Sequence, residues 1–164
     1  DSLFDSIRHR YSFLRDLREH LPPPPLVFFG SHWQGAWFAP PGNSYMATLI
    51  EDAGGRYLLK DTVASGNITV PLERVLVLGD SADRFGVLLA HPGAVDRRTL
   101  VGGDPRVLAL RGVQAGAFVG NSGTDDLFGQ ALLEPDEVLR DLRCVFHAGS
   151  CGVREARYFR GVPQ

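Results

Sequence analysis

One stretch decides the predicted fold: LVFFGSHWQGAWF, residues 26–38. It is rich in aromatic residues, which favour strands. Alternate residues of a strand share a face, so Trp33 and Trp37 are predicted to point with Phe29, whereas His32 is predicted to point with Phe28. One face is therefore expected to be core. The other face either lines a binding groove or encloses a buried histidine.

Upstream of this stretch, apolar residues recur every three or four positions from residue 2 to residue 21. This spacing predicts an amphipathic N-terminal helix over residues 1–21, about 30 Å long. The four prolines at 22–25 lack amide hydrogens, so they end the helix and form a stiff polyproline spacer. The helix either braces the core or forms an arm for a partner. Residues 26–164 are predicted to be a single α+β domain.

Downstream, short runs of β-branched and aromatic residues alternate with Gly, Pro, Asn and Asp. Strands are predicted at 26–29, 33–38, 45–50, 56–60, 68–70, 74–78 and 85–90, with weaker candidates at 107–110 and 117–119. The sequence Asp-Ala-Gly-Gly at 52–55 is typical of a hairpin connection. The pattern predicts a central antiparallel sheet or partial barrel. A helix is predicted over residues 134–142.

The composition is that of an ordinary globular domain. The chain has 164 residues, 44% of them hydrophobic, and a formal charge of -2, which gives no general attraction to nucleic acid or acidic lipid. No stretch approaches the roughly 18 apolar residues of a membrane span, so we expect no transmembrane segment. Two cysteines and the lack of a signal peptide favour a reducing compartment.

Two remote residues, His32 and Cys151, are candidates for a papain-type pair. A cysteine nucleophile needs a neighbouring base or a helix N-terminus that lowers its pKa. A C-terminal helix is predicted to begin near Cys151 and to continue to residue 160, and Asn43 or Ser44 is a candidate to orient the His32 ring. In the alternative interpretation, Cys151 is a small buried residue and His32 is hydrogen-bonded within its strand.

The positions of these two residues also resemble a known family. The lecithin-retinol-acyltransferase family, with the non-proteolytic 2A proteins of parechoviruses and kobuviruses, has an H-box that begins His-Trp on a strand. Much later it has an Asn-Cys motif that opens a helix ending in Arg-Tyr-Gly. At the matching places this chain has His32-Trp33, Ser150-Cys151, Arg157-Tyr158 and Gly161. The resemblance implies a papain-like fold of this family.

The resemblance also implies a function. It implies a picornaviral nonstructural protein of the host cytoplasm that supports viral RNA replication through viral or host proteins and does not cleave the polyprotein; the terminal Gln164 suits a polyprotein product. If the protein retains catalytic activity, the resemblance implies a thiol acyltransferase or lipid hydrolase, with Cys151 as nucleophile and His32 as base. The alternative is a non-catalytic, β-rich binding module, either another small picornavirus protein such as a leader or a bacterial interaction domain.

Two further patterns involve possible metal ligands and clustered positive charges. Cys144, His147 and Cys151 have the spacing of zinc ligands, but structural zinc takes four, so we expect no metal, and the sequence indicates no cofactor. Three arginines recur at three-residue steps and either contact phosphates, for example of RNA, or form a solvated face. These are Arg154, Arg157 and Arg160.

Overall fold

The computed structural model describes residues 2–152 and 154–164. Asp1 and Val153, which fall in the predicted N-terminal and C-terminal helices, lie outside the described residues. Within the described part of the chain, seven strands form one mixed sheet. They are β1 (Leu26–Trp33), β2 (Ala36–Ala39), β3 (Arg56–Tyr57), β4 (Ile68–Val70), β5 (Arg84–Leu89), β6 (Ala117–Asn121) and β7 (Phe159–Gly161).

The centre of the sheet is parallel. The strand order is β4-β2-β1-β5-β6-β7, and β3 pairs with the first residues of β1. β1, β5 and β6 are parallel neighbours, and β3 is parallel to β1. β2, β4 and β7 run antiparallel to the strands beside them. The predicted antiparallel sheet or partial barrel is therefore wrong, although the mixture of helices and strands is as predicted.

Helices cover both faces of this sheet. They are α1 (Ser2–Asp16), α2 (Tyr45–Asp52), α3 (Leu72–Ser81), α4 (Arg97–Leu100), α5 (Pro105–Leu108), α6 (Arg111–Gly116), α7 (Gln130–Leu133) and α8 (Pro135–Phe146), with 3-10 turns at Leu17–His20 and Ala148–Ser150. Phe28 and Phe29 are consecutive in β1 and both are buried. Because consecutive strand residues point to opposite faces, both faces of β1 are covered at these two residues.

Three predicted strands are helices instead. Residues 45–50 lie in α2, 74–78 in α3 and 107–110 overlap α5. In α2 the Ser44 hydroxyl accepts a hydrogen bond from the backbone N–H of Ala47, which caps the helix N-terminus. Leu49 and Ile50 are buried there, whereas Thr48 is exposed. Short apolar runs are compatible with either a strand or a helix that has one buried side. The pattern by itself therefore predicted strands where the structure has helices. Residues 52–55 connect α2 to β3 and form no hairpin.

The C-terminal helix predicted to begin near Cys151 is also wrong. A 3-10 turn precedes Cys151, and among the described residues 154–164 the regular element is β7, which pairs with β6. The helix predicted over 134–142 is present as the longer α8.

The N-terminal helix packs on the body of the molecule. The Arg10 guanidinium pairs with the buried Asp136 carboxylate of α8 at 2.7 Å. The Tyr11 hydroxyl donates to the Asp52 carboxylate at the end of α2, also at 2.7 Å. The contacts of α1 with α8 and α2 are those of a brace. The division into helix, spacer and single domain stays a prediction.

Gly86 is the closest point of packing in the parallel centre. It lies in β5 between Phe29 of β1 and Phe118 of β6, its partners in register. The rings of Phe29 and Phe118 stack across it with centroids 6.0 Å apart. A Cβ added at Gly86 would lie 2.2 Å from Cζ of Phe118. Only glycine leaves room for the two rings.

We expect Gly86→Ala to lower the free energy of unfolding by about 1–3 kcal/mol, because the added methyl group forces the Phe118 ring out of its position. Urea unfolding followed by circular dichroism measures the change. Gly66→Ala is the matched control, since no atom lies within 4 Å of its added Cβ. Equal stability of the two variants would contradict this account of the core.

Candidate functional site

The three central parallel strands end at one edge of the sheet. In open α/β sheets, ligands bind outside the carboxyl ends of the strands. Asn121, buried at the end of β6, holds two segments together at this edge. Its side-chain oxygen accepts from the backbone N–H groups of His91 and Gly123 at 2.9 Å, and its NH₂ donates to the Gly93 carbonyl at 3.0 Å. The segments after β5 and β6 are therefore fixed to each other.

An apolar pocket of about 220 Å³ lies beside this edge, between the sheet and the helices α2, α7 and α8. Its wall is formed by residues including Phe29, Met46, Leu49, Leu88 and Leu127. Three large side chains that also line it are mostly exposed, so they lie at its rim: Tyr45, Phe128 and Leu132. The pocket has the character of an apolar ligand site.

His32 is packed and hydrogen-bonded. Its ring Nε2 lies 2.9 Å from the Leu100 carbonyl oxygen and donates to it, since a carbonyl only accepts. Its ring lies against that of Trp37, with centroids 4.8 Å apart. A Cβ added at Gly102 would lie 2.9 Å from the ring. These contacts match the hydrogen-bonded histidine of the alternative interpretation.

The two tryptophans do not share a face. Gln34 and Gly35 both have positive φ, 51° and 81°, as a tight hairpin turn requires. The turn places Trp37 of β2 opposite His32 of β1, and directly opposed residues share a face. Trp37 is therefore buried in the core, while Trp33 is 68% exposed. The prediction that Trp37 points with Trp33 is wrong because it assumed one unbroken strand.

Cys151 lies near the other end of β1. It follows α8, and the neighbouring His147 ring bonds the Gly54 carbonyl at 2.9 Å, close to where β3 pairs with the first residues of β1. His32 is near the last residue of β1, and six residue steps of a strand span about 20 Å. The structure does not bring His32 and Cys151 together. Catalysis by this pair stays a prediction, and within residues 2–152 and 154–164 the His32 ring hydrogen-bonds the Leu100 carbonyl and the Cys151 thiol the Ala148 carbonyl.

The other predicted site residues have structural partners. The side-chain oxygen of Asn43 accepts from the Ala64 backbone N–H at 3.2 Å, and Ser44 caps α2. In the described part of the chain, neither residue hydrogen-bonds the His32 ring. Neither side chain therefore orients the imidazole.

The three arginines are ion-paired. Arg154 pairs with Glu137 and Asp141, Arg157 pairs with Glu134 at 3.0 Å, and Arg160 pairs with Asp125 at 3.0 Å. Each positive charge is thus already balanced by at least one carboxylate. Phosphate binding at this surface would have to break these pairs, so the arrangement does not favour contact with RNA.

A buried carboxylate organises the segment that carries these arginines. One oxygen of Asp141 accepts from the backbone N–H groups of Arg157, Tyr158 and Phe159 at 3.0, 2.7 and 3.3 Å. The other accepts from the Arg154 guanidinium. Asp141 thereby fixes the approach to β7 against α8. Asp141 is not among the residues predicted to form a site; the available signal was an acid three positions after Val138, on the apolar side of a predicted helix.

We expect Asp141→Asn to lower the free energy of unfolding by about 3–5 kcal/mol, because it removes the negative charge that pairs with Arg154 and replaces one of the two acceptor oxygens by an NH₂ donor. This donor then faces either the Arg154 guanidinium or the three backbone N–H groups. Chemical unfolding measures the loss. Asp16→Asn is the control, since that carboxylate is exposed and its ion pair among the described residues is with the adjacent Arg15; we expect a change within about 0.5 kcal/mol. A small effect at Asp141 would contradict the role assigned to it.

Metal-ligating groups do not gather in the described part of the chain, where no cluster of three or more His, Cys, Asp or Glu side chains is placed to hold an ion. The Cys151 thiol donates to the Ala148 carbonyl oxygen at 3.4 Å, and the His147 ring bonds the Gly54 carbonyl at 2.9 Å. Over the same residues, no helix is both long and apolar enough to cross a membrane.

The chain matches no family model and no curated protein, but its fold is similar to that of solved bacterial binding proteins. An ABC transporter substrate-binding protein from Listeria monocytogenes aligns with a TM-score of 0.71 and 14% identity over 90% of this chain and 56% of the other. The TroA-like periplasmic binding protein FepB from Veillonella parvula aligns with 0.67 and 13%, over 96% and 54%. A periplasmic heme-binding protein from Pseudomonas aeruginosa aligns with 0.67 and 15%, over 98% and 56%.

These alignments define the class of fold: an α/β unit found in periplasmic binding proteins. The chain spans about half the length of the solved structures that it matches. The identification with the acyltransferase family and the picornaviral 2A proteins is therefore wrong. The same alignments contradict the papain-like fold, the role in viral RNA replication through viral or host proteins, and the host-cytoplasmic location. The non-catalytic binding module agrees better with these structures, without the viral origin.

The His-Trp and Ser-Cys motifs led to the wrong family because they match its motifs in sequence but not in structural context. Trp33 lies at the exposed end of β1, where a hairpin turn follows. Cys151 follows a 3-10 turn and opens no helix in the described residues. His32-Trp33 and Ser150-Cys151 therefore occur in a different fold from that of the family.

Proposed function

We propose that this chain forms one part of a solute-binding protein and that it holds its ligand at the apolar pocket beside the carboxyl edge of β1 and β5. The pocket is the single observation that carries the proposal. It lies where open α/β sheets bind ligands, and its rim presents the exposed rings of Tyr45 and Phe128. The fold supports the same class of function.

The lining indicates the chemistry of the ligand. The wall is almost wholly apolar, and the exposed rim is aromatic, so we propose a ligand with a large apolar or flat face. One solved structure with this fold is described as heme-binding, and another, FhuD from Vibrio cholerae, as siderophore-binding with Fe³⁺-Desferal bound. Haem has such a flat apolar face, whereas the hydroxamate complex is more polar. Haem is therefore the better model for the ligand.

The size of the pocket indicates that it encloses only part of the ligand. Sites for whole small molecules usually occupy about 300–1,000 Å³. This pocket, at about 220 Å³, is large enough for part of such a molecule. Because the similar solved chains are about twice as long, we propose that a second unit covers the other side of the ligand. By the same likeness, the proposed partner is the membrane part of an ABC transporter.

Met46 makes a sharp test possible, because it is the only methionine of the chain and it lines the pocket. A sample labelled at the methionine methyl gives one NMR signal. We expect ferric haemin to broaden this signal through its unpaired electrons. Fe³⁺-Desferal, which is also paramagnetic, should broaden it less at the same concentration.

Two variants separate the pocket from general surface adsorption. Phe128→Ala removes an exposed ring at the rim and should weaken the haemin effect about tenfold, the equivalent of about 1.4 kcal/mol. Val77→Ala, at an exposed position of α3 that does not line the pocket, should leave it unchanged. A Met46 signal that neither probe broadens, or that broadens equally in both variants, would overturn the proposed site.

A further inference from the structure

Another cavity lies at the opposite edge of the sheet, where β5 and β6 begin and β7 ends. It has a volume of about 400 Å³ and extends from these strand ends to the last residues of α8. Part of its wall is small and apolar, with Ala115, Ala117, Val145 and Ala148. The wall also contains four arginines: Arg84, Arg97, Arg154 and Arg160. This arginine cavity therefore combines positive charge with apolar surface.

Two of the four arginines have carboxylate partners. Arg154 pairs with Glu137 and Asp141, and Arg160 pairs with Asp125. Of the described residues that line the cavity, Asp141 is the only one with an acidic side chain. Its two oxygens already accept from the Arg154 guanidinium and from three backbone N–H groups. The wall therefore offers no further carboxylate side chain to the other two arginines.

Those two arginines, Arg84 and Arg97, are held by neutral groups. The Arg84 guanidinium donates to the backbone carbonyl oxygens of Val145 and Asp83, at 3.2 and 3.0 Å. The Arg97 guanidinium donates to the side-chain and backbone oxygens of Gln114, at 3.0 and 3.1 Å. Across residues 2–152 and 154–164, neither forms an ion pair. Both charges are thus fixed in position without a carboxylate in contact.

The two side chains come together at α6. Arg97 bonds Gln114, and Arg84 packs on Gly116 two residues later. A Cβ added at Gly116 would lie 2.5 Å from Cδ and 3.1 Å from Nη1 of Arg84, so glycine permits this approach. Like charges on one cavity wall repel each other, and an anion bound between them removes that repulsion.

Both guanidinium groups keep N–H donors for a ligand. Each has more donors than the contacts with neutral groups use. In the described part of the chain, the Nε–H of Arg97 is buried and has no hydrogen-bond acceptor. A buried donor without an acceptor is unfavourable, so a bound acceptor would stabilise this arrangement.

We propose that the arginine cavity binds a small organic carboxylate, with the carboxylate group between Arg84 and Arg97 and the apolar body against the alanines of the wall. The planar guanidinium fork matches the planar carboxylate. The apolar wall favours an acid with a hydrocarbon body over inorganic phosphate, which has no apolar surface to bury. This site is independent of the pocket in the proposed function, so either can be disproved without the other.

Benzoate is a suitable probe, because benzamide has nearly the same shape and carries no charge. The isotope-labelled full chain is titrated with sodium benzoate, and sodium chloride keeps the ionic strength constant. We expect the backbone amide signals of Gly116 and Ala117 to shift, and the methyl signal of Met46 in the other pocket to stay unchanged. Benzamide and inorganic phosphate should each bind at least about tenfold more weakly than benzoate.

Arg84→Gln and Arg97→Gln should each weaken benzoate binding about tenfold, because each removes one charged donor group. Arg98→Gln is the matched control, since Arg98 is exposed and lies outside the cavity wall; its affinity should equal that of the wild type. Circular dichroism shows whether the variants fold. The comparison of the three probes on the wild type stands even if one variant does not.

Three results would overturn the anion site: benzamide binding as tightly as benzoate, a shift of Met46 in place of the two amides, or wild-type affinity in both cavity variants. Phosphate binding as tightly as benzoate would overturn the assignment to organic carboxylates.

Discussion

The stacking of Phe29 and Phe118 across Gly86 is the constraint on which the rest of the structure depends. It fixes β1, β5 and β6 in one parallel register, with both faces buried under helices. Parallel strands in register end at the same edge, and that edge is where the apolar pocket and the Asn121 contacts lie. The position of the proposed ligand site is therefore set by packing in the core.

Part of the fold is readable from the sequence. The strands at Ile68–Val70 and Arg84–Leu89 and the helix after residue 134 follow from β-branched runs and from acidic residues before an apolar stripe. The segment 45–50 does not, because its six residues are too few to show a period. Its helical state depends on the cap at Ser44 and on burial of Leu49 and Ile50 against the body of the molecule. Parallel pairing is also invisible locally, since it joins strands that are distant in sequence.

The candidate site was harder to predict than the fold. The aromatic stretch around His32 was recognised, but one hairpin turn separates Trp33 from Trp37 and sends only the second into the core. Phe128, at the rim of the pocket, lies in a segment with no regular sequence pattern, so the sequence contains no signal that it lines a pocket. The spacing of the arginines shows only their positive charges, whereas their carboxylate partners lie elsewhere in the chain, at Asp141, Glu134 and Asp125. Pairing of that kind is a property of the tertiary structure.

The pairing of β7 with β6 has a consequence for biosynthesis. β6 leaves the ribosome before α7 and α8, whereas β7 comes after both. During that interval the outer side of β6 is an edge with unpaired backbone N–H and C=O groups, the kind that pairs with other nascent chains in aggregates. Asp141 is synthesised before β7, so its carboxylate is already present to accept hydrogen bonds from the backbone N–H groups of Tyr158 and Phe159. Translation must therefore reach residue 161 before β7 can cover this edge of β6.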